Sequence, residues 1–246
     1  MIAAGRPSNE RERLATLGGY EILDTEPESA FDDLTLLASQ ICQTPIALIS
    51  LVDADRQWFK SKVGVSVTET PRDIAFCSWA ILGSDVFVVQ DASRDARFSG
   101  NPLVVSDPRI RFYAGAPLTA EGQTIGTLCV IDRVPRQLSA DQLQSLRALG
   151  RQVQAQMDLR RNLKALKKAL ATRDRLEAEM DRTIDELRTT LARVTTVEGL
   201  LPICTSCKRI EDENGKWQPF ERYVRAHSEA EISHKICPDC ATGIAV

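Results

Sequence analysis

A chain of 246 residues corresponds to about 1.6 domains at roughly 150 residues each, which favours one medium domain plus a smaller part. Apolar residues at 43% and charged residues at 26% exclude wholesale disorder, and no apolar run approaches the length that spans a bilayer. The formal net charge of −3 is uneven, with −5 over residues 1–138, +3 over 139–199 and −1 over 200–246, and no segment is basic enough to demand nucleic acid.

Met1 to Ser8 contain no apolar core of the kind an export signal needs. A cytoplasmic chain is therefore expected, with its seven cysteines reduced or holding metal. Apolar residues at 31, 34, 37, 38 and 41 have the spacing of one helix face, ended by Pro45. Ile46 to Val52 reads as a buried strand, stopped by Asp53-Ala-Asp-Arg. Gln57 to Val63 then returns as the second arm of a hairpin, ended by Gly64. Phe87-Val-Val-Gln-Asp is a further short strand. Phe112 to Leu118 and Thr124 to Asp132 flank a Glu121-Gly122 turn as a long hairpin. Short helices are expected at 10–17 and 75–82. Antiparallel strands with flanking helices make this part α+β.

Beyond Pro135, Ser139 with Gln142 three residues later forms a capping box that opens a long helix over 139–198. From Leu163 the heptad a and d positions are Leu163, Leu166, Leu170, Arg173, Glu177, Met180, Ile184, Leu187, Leu191 and Val194; eight of the ten are apolar. Such a helix would be about 90 Å long. Its narrow apolar stripe needs a partner, most simply a second copy, so a homodimeric coiled coil is expected. Arg173 and Glu177 interrupt the seam, either as an inter-chain pair or as a loosened stretch. Arg160, Arg161, Lys164, Lys167, Lys168, Arg173 and Arg175 form a basic run, read as a solvated face with nucleic acid or an acidic partner as the alternative.

Gly199 and Pro202 end the helix. The remaining segment, residues 199–246, is too small to build a good core alone. It holds Cys204-Thr-Ser-Cys207 and Cys237-Pro-Asp-Cys240, separated by 29 residues. Two C-x-x-C turns can supply four sulfurs to a tetrahedral site, which suits Zn²⁺ at about 2.3 Å. Unliganded thiols or a thiol–disulfide pair are the alternatives. Lys208, Arg209 and Lys235 lie beside the ligands, where they offset charge, and His234 is either an alternative ligand or a partner of nearby backbone. Trp217, Phe220, Tyr223 and Val224 are spaced to pack one face of a short helix between the pairs. The net −1 of this tail argues against a nucleic-acid-binding zinc ribbon. A protein partner is expected there instead.

Four stretches carry a family resemblance: Asp73-Ile-Ala-Phe-Cys-Ser-Trp-Ala-Ile81, Val89 to Leu103, Arg111-Phe-Tyr-Ala-Gly-Ala-Pro-Leu118 and Ile125-Gly-Thr-Leu-Cys-Val-Ile-Asp132. Through them, residues about 10–155 resemble a GAF domain of the subgroup at the front of many bacterial histidine kinases and cyclic-di-GMP enzymes. The resemblance implies a central antiparallel sheet, a ligand-sized pocket on one face and dimerisation through terminal helices, but it implies no particular ligand. It places the pocket near Phe76, Trp79, Phe98 and Tyr113, for which ordinary core packing is the alternative. Residues 197–240 are similar to a Cys-rich C-terminal extension of some bacterial receiver and sensor proteins. The cysteines Cys42, Cys77 and Cys129 are followed by Gln43, Ser78 and Val130, whereas bilin-binding GAF domains commonly place a histidine after the pigment-bearing cysteine. These three are read as small buried hydrophobes.

The chain therefore divides into a GAF sensor domain (1–138), a coiled-coil helix (139–198) and a Cys-rich zinc module (199–246). No cyclase or kinase catalytic sequence follows the coiled coil. The expectation is a non-enzymatic bacterial signal-transduction protein without a membrane segment. In this reading the GAF domain senses a small ligand or partner and relays through the dimeric coiled coil. The alternatives are a redox switch, in which tail oxidation ejects zinc, and a GAF-type methionine sulfoxide reductase.

Overall fold

A computed structural model describes residues 2–193, 201–228 and 230–241. The described residues fall into two compact units, residues 1–168 and 169–246. No helix among them is long and apolar enough to cross a membrane.

The first unit is built on six antiparallel strands. These are β1 (Ile46–Val52), β2 (Arg56–Val63), β3 (Glu69–Pro71), β4 (Phe87–Val89), β5 (Phe112–Ala120) and β6 (Gln123–Asp132), in the order β3-β2-β1-β6-β5-β4. Strand β1 is buried at every position because it lies between β2 and β6 and is covered on both faces, which is why its sequence is an almost unbroken apolar run. The β5–β6 hairpin turns on Glu121 and Gly122, both with positive φ (51° and 77°), the conformation a two-residue hairpin loop requires.

One face of the sheet carries α1 (Glu10–Gly19), α2 (Ser29–Cys42) and the start of α5 (Ala140–Arg193). Leu17, Phe31, Ala38, Leu128, Val130, Leu146, Val153 and Met157 form its core. Because α5 contributes Leu146, Val153 and Met157 to that core, the first unit continues past residue 138 into the helix. The expected capping box is present: the Ser139 amide donates to Gln142 Oε1 (3.0 Å) and the Gln142 amide to Ser139 Oγ (3.2 Å). The other face carries α3 (Cys77–Ala80), α4 (Pro102–Val105) and a 3-10 turn at Arg72–Ile74, over a second core that includes Leu48, Phe59, Phe76, Phe98, Tyr113 and Ile131.

The structure corrects the expected face of α2. It buries Phe31, Thr35, Ala38 and Cys42, while Leu37 and Ile41 are exposed. Thr35 can occupy the inward line because its hydroxyl donates to Phe31 O (2.9 Å), which satisfies it inside the core.

In the second unit α5 continues to Arg193, and β7 (Ile210–Glu211) pairs with β8 (Trp217–Gln218) ahead of α6 (Phe220–His227) and α7 (Pro238–Ala241). Trp217 is thus in a strand and not on the expected helix face. Pro219 holds the residue before it extended, and the helix starts only after it. Residues 194–198 and 199–200, at the expected helix end, lie outside the described residues.

Candidate functional site

A cavity of about 80 Å³ lies on the second face of the sheet. Its walls are mostly apolar, among them Ile46, Leu48, Phe59, Val65 and Ile110, and its polar lining residues are Gln57, Thr70, Cys77 and Tyr113. Gln57 on β2 and Thr70 on β3 are register partners. Gln57 Oε1 and Thr70 Oγ1 are both buried without a hydrogen-bond partner among the described residues. Such an atom costs about 1–3 kcal/mol when left unsatisfied, so a donor entering here has two acceptors to meet.

Phe76 and Tyr113 line this cavity. Trp79 and Phe98 stand behind it. Phe76 stacks on Phe98 (centroids 4.1 Å apart, 7° between planes) and on Tyr113 (5.3 Å), and Trp79 meets Phe98 edge-on. The Arg97 guanidinium lies over Phe87 at 4.9 Å and over Phe98 at 5.3 Å, closing the outer side of the aromatic group. The polar pair Gln57 and Thr70 was not anticipated from sequence, because β3 is only three residues long and leaves no periodic signal.

Cys42, Cys77 and Cys129 are all buried. Cys42 sits in apolar surroundings, and burial pushes its thiol up to about 11. Cys77 and Cys129 are different, with sulfurs 3.9 Å apart at the floor of the second core. Thr127 Oγ1 (3.0 Å) and the Tyr113 hydroxyl (3.2 Å) both donate to Cys77 Sγ. Burial raises the Cys77 thiol, but the hydrogen bonds from Cys129, Thr127 and Tyr113 outweigh it and hold it at about 7. Burial and then the neighbouring Cys77 push Cys129 well up. Gly115 makes the arrangement possible, since a Cβ there would lie 2.3 Å from the Tyr113 hydroxyl.

Two ion networks fix the helices around the sheet. Arg13 and Arg72, nearly fully buried, share Glu10: Arg13 donates at 2.8 and 2.9 Å, and Arg72 Nη1 at 2.5 Å. Burial raises the Glu10 carboxyl, but the two arginines hold it down at about 2. Glu28 Oε1 accepts from Lys60 Nζ and from Arg160 Nε, each at 2.7 Å, and so joins β2 to α5. Arg161 pairs with Glu121 (2.6 Å) and Lys164 with Glu21. The head of the basic run is thus matched by acidic residues of its own domain. Arg173 and Glu177 pair with each other along one helix at 3.4 Å.

In the second unit the Cys207 and Ser206 amides, followed by the Cys207 side chain, hold the Cys204 thiol below its ordinary range. The Cys240 amide donates to Cys237 Sγ at 3.4 Å. Each C-x-x-C turn therefore aims backbone N–H groups at its first sulfur, as a thiolate ligand requires. The donor set fits Zn²⁺. Among the described residues, however, no three His, Cys, Asp or Glu side chains gather closely enough to hold a metal. His234 lies beside Glu221, Nε2 to Oε1 3.5 Å.

The GAF domain family profile matches residues 26–157. A cyclic di-GMP phosphodiesterase of Pseudomonas aeruginosa is 40% identical over 205 residues, which cover 82% of this chain and 35% of that enzyme. The chain thus spans about a third of the length of this curated relative. Among solved structures, free methionine-R-sulfoxide reductase of Neisseria meningitidis, in complex with its substrate, is 16% identical with a TM-score of 0.46, covering 66% of this chain and 99% of that one. The GAF domain of a phosphoenolpyruvate-protein phosphotransferase of Coxiella burnetii is 13% identical with a TM-score of 0.46, covering 64% and 99%. The expectation of a non-enzymatic protein is overturned by the first of these relatives, which is named as an enzyme at 40% identity. With its family profile covering more than half of its length, the chain belongs to the GAF domain family and is a GAF domain signalling protein.

Proposed function

We propose that this chain senses a small, mostly apolar molecule in the sheet cavity and thereby controls cyclic di-GMP turnover. The observation that carries the sensing is the cavity itself, apolar except for a few polar groups and with two buried oxygens that lack a partner. At about 80 Å³ it is far below the roughly 300–1,000 Å³ of drug-sized sites, so the molecule is small. The link to cyclic di-GMP rests on the 40% identical relative that hydrolyses it by name.

The relay starts at β2. Phe59 faces the cavity, and the next residue, Lys60, holds Glu28, which in turn holds Arg160 of α5. A ligand that favours one position of β2 shifts this chain of contacts, provided it binds the two arrangements with different affinity. Further along α5, Leu163, Leu166, Leu170, Met180, Ile184, Leu187 and Leu191 are all exposed in the single chain. That stripe supports a parallel homodimeric coiled coil as the next step. The tail would then be a zinc-stabilised interaction module, with Cys204, Cys207, Cys237 and Cys240 as ligands and Zn²⁺ supplying folding energy. Zinc analysis of the purified chain should give about one equivalent, and less than about half would contradict the module.

Cellular cyclic di-GMP tests the whole reading. Expression of the chain should change its level, and Val65→Trp, which fills the cavity from its rim, should shift that response. An unchanged level with both proteins would refute the proposal.

A further inference from the structure

We propose that Cys77 and Cys129 form a peroxide-responsive dithiol, closed to a disulfide by hydrogen peroxide that enters through the sheet cavity. Three features combine here. The sulfurs are 3.9 Å apart, so they must approach by roughly 2 Å to bond. Cys77 belongs to a four-residue helical turn and can move further than Cys129, which is fixed in the central strand β6. Only Cys77 lines the cavity, whereas Cys129 is fully buried behind it.

The positions assign the roles. Donors from Thr127 and Tyr113 converge on Cys77 Sγ, which makes it the more acidic sulfur and the one an oxidant meets first. The apolar walls favour an uncharged oxidant, and the volume of about 80 Å³ admits hydrogen peroxide but not bulky hydroperoxides. Cys77 sulfur attacks one peroxide oxygen, the S–O bond forms and the O–O bond breaks. The departing hydroxide takes the thiol proton and leaves as water. Cys129 sulfur then attacks Cys77 sulfur, the S–S bond forms, and the sulfenic oxygen leaves with the Cys129 proton as a second water. Two thiols are oxidised by two electrons in all, and one peroxide is reduced to two waters. A dithiol reductant reverses the bond by exchange and is itself oxidised.

The test is a peptide map of the full chain after exposure to hydrogen peroxide, with free thiols alkylated under denaturing conditions. The expected result is a cross-linked peptide pair containing Cys77 and Cys129, absent before treatment and lost with dithiothreitol. Cys42, equally buried but away from the cavity lining, should remain a free thiol. In Cys129→Ser, Cys77 should stop at a sulfenic acid that dimedone captures when it is added together with denaturant after the peroxide is removed. Tyr113→Phe should slow cross-linking by roughly tenfold through loss of one donor to the reacting sulfur. Free Cys77 and Cys129 after a peroxide dose that oxidises the tail thiols would overturn the assignment. So would oxidation of Cys42 at the same rate as Cys77, because that would report unfolding and not the cavity. The wild-type map alone decides the point if a variant fails to fold.

Discussion

One face of the six-stranded sheet is closed by α1, α2 and the first turns of α5 around a continuous core of mostly aliphatic side chains with Tyr20, Phe31, Trp58 and Phe112 among them. The opposite face is covered by short turns and an aromatic group, with a cavity, two unpartnered oxygens and a pair of touching thiols. The strands are shared, so the contrast comes from the alternation of side chains along them. On β6, Leu128 and Val130 point to the first core, and Cys129 and Ile131 to the second. Long helices can bury apolar surface without gaps, whereas three- and four-residue elements leave space and polar atoms behind. The first face holds the fold together, and the second is where chemistry is possible.

Substitutions on the two faces should therefore behave differently. The largest loss is expected on the closed face: Leu146→Ala should lower unfolding stability by about 3–4 kcal/mol in urea titrations. A loss below 1 kcal/mol would mean that α5 does not contribute to this core. Glu10→Gln should cost about 3 kcal/mol, because Arg13 and Arg72 would stay buried without their counter-charge. The same residue sets an acid dependence. Its carboxyl is held at about 2 when folded against 4.5 ordinarily. Its contribution is therefore complete above pH about 4.5 and is lost as pH falls towards about 2. Stability measured across that window should drop in the wild type and drop less steeply in Glu10→Gln, the remaining slope coming from other lowered carboxyls such as Asp85 and Glu28.

Smaller effects are expected on the open face. Gly115→Ala should cost about 1–3 kcal/mol by displacing the Tyr113 hydroxyl, and it should slow the cross-linking of Cys77. Thr70→Val removes an unpaired buried hydroxyl, so stability should stay within about 1 kcal/mol of wild type or rise slightly. A large loss at Thr70 would show that its oxygen already has a partner and would weaken the case for a ligand.

The sheet was largely legible from sequence because its signals are local. The apolar run of β1, the Glu121-Gly122 turn and the Ser139–Gln142 box each lie within a few residues, and each appears where expected. The inward face of α2 was misread because a threonine with a satisfied hydroxyl took a place that apolar spacing assigns to leucine. Elements of three or four residues, β3 and α4, have no period to detect. Of the candidate site, the aromatic positions could be named from family resemblance. Contacts between distant residues could not: Cys77 meets Cys129 across 52 positions, and Arg160 meets Glu28 across 132. The basic run on α5 is a solvated face from Lys164 onward, and the pairing of its head, Arg160 and Arg161, with distant acidic residues was hidden for the same reason.

The central claim is that occupation of the cavity reaches α5 through Lys60, Glu28 and Arg160. Peptide-resolved hydrogen exchange over residues 158–168 tests it most directly, comparing wild type, Val65→Trp, Glu28→Gln and the double variant. The account predicts that filling the cavity changes exchange in this stretch, and that Glu28→Gln removes most of the change. Exchange in 158–168 that is the same with the cavity open or filled would contradict it.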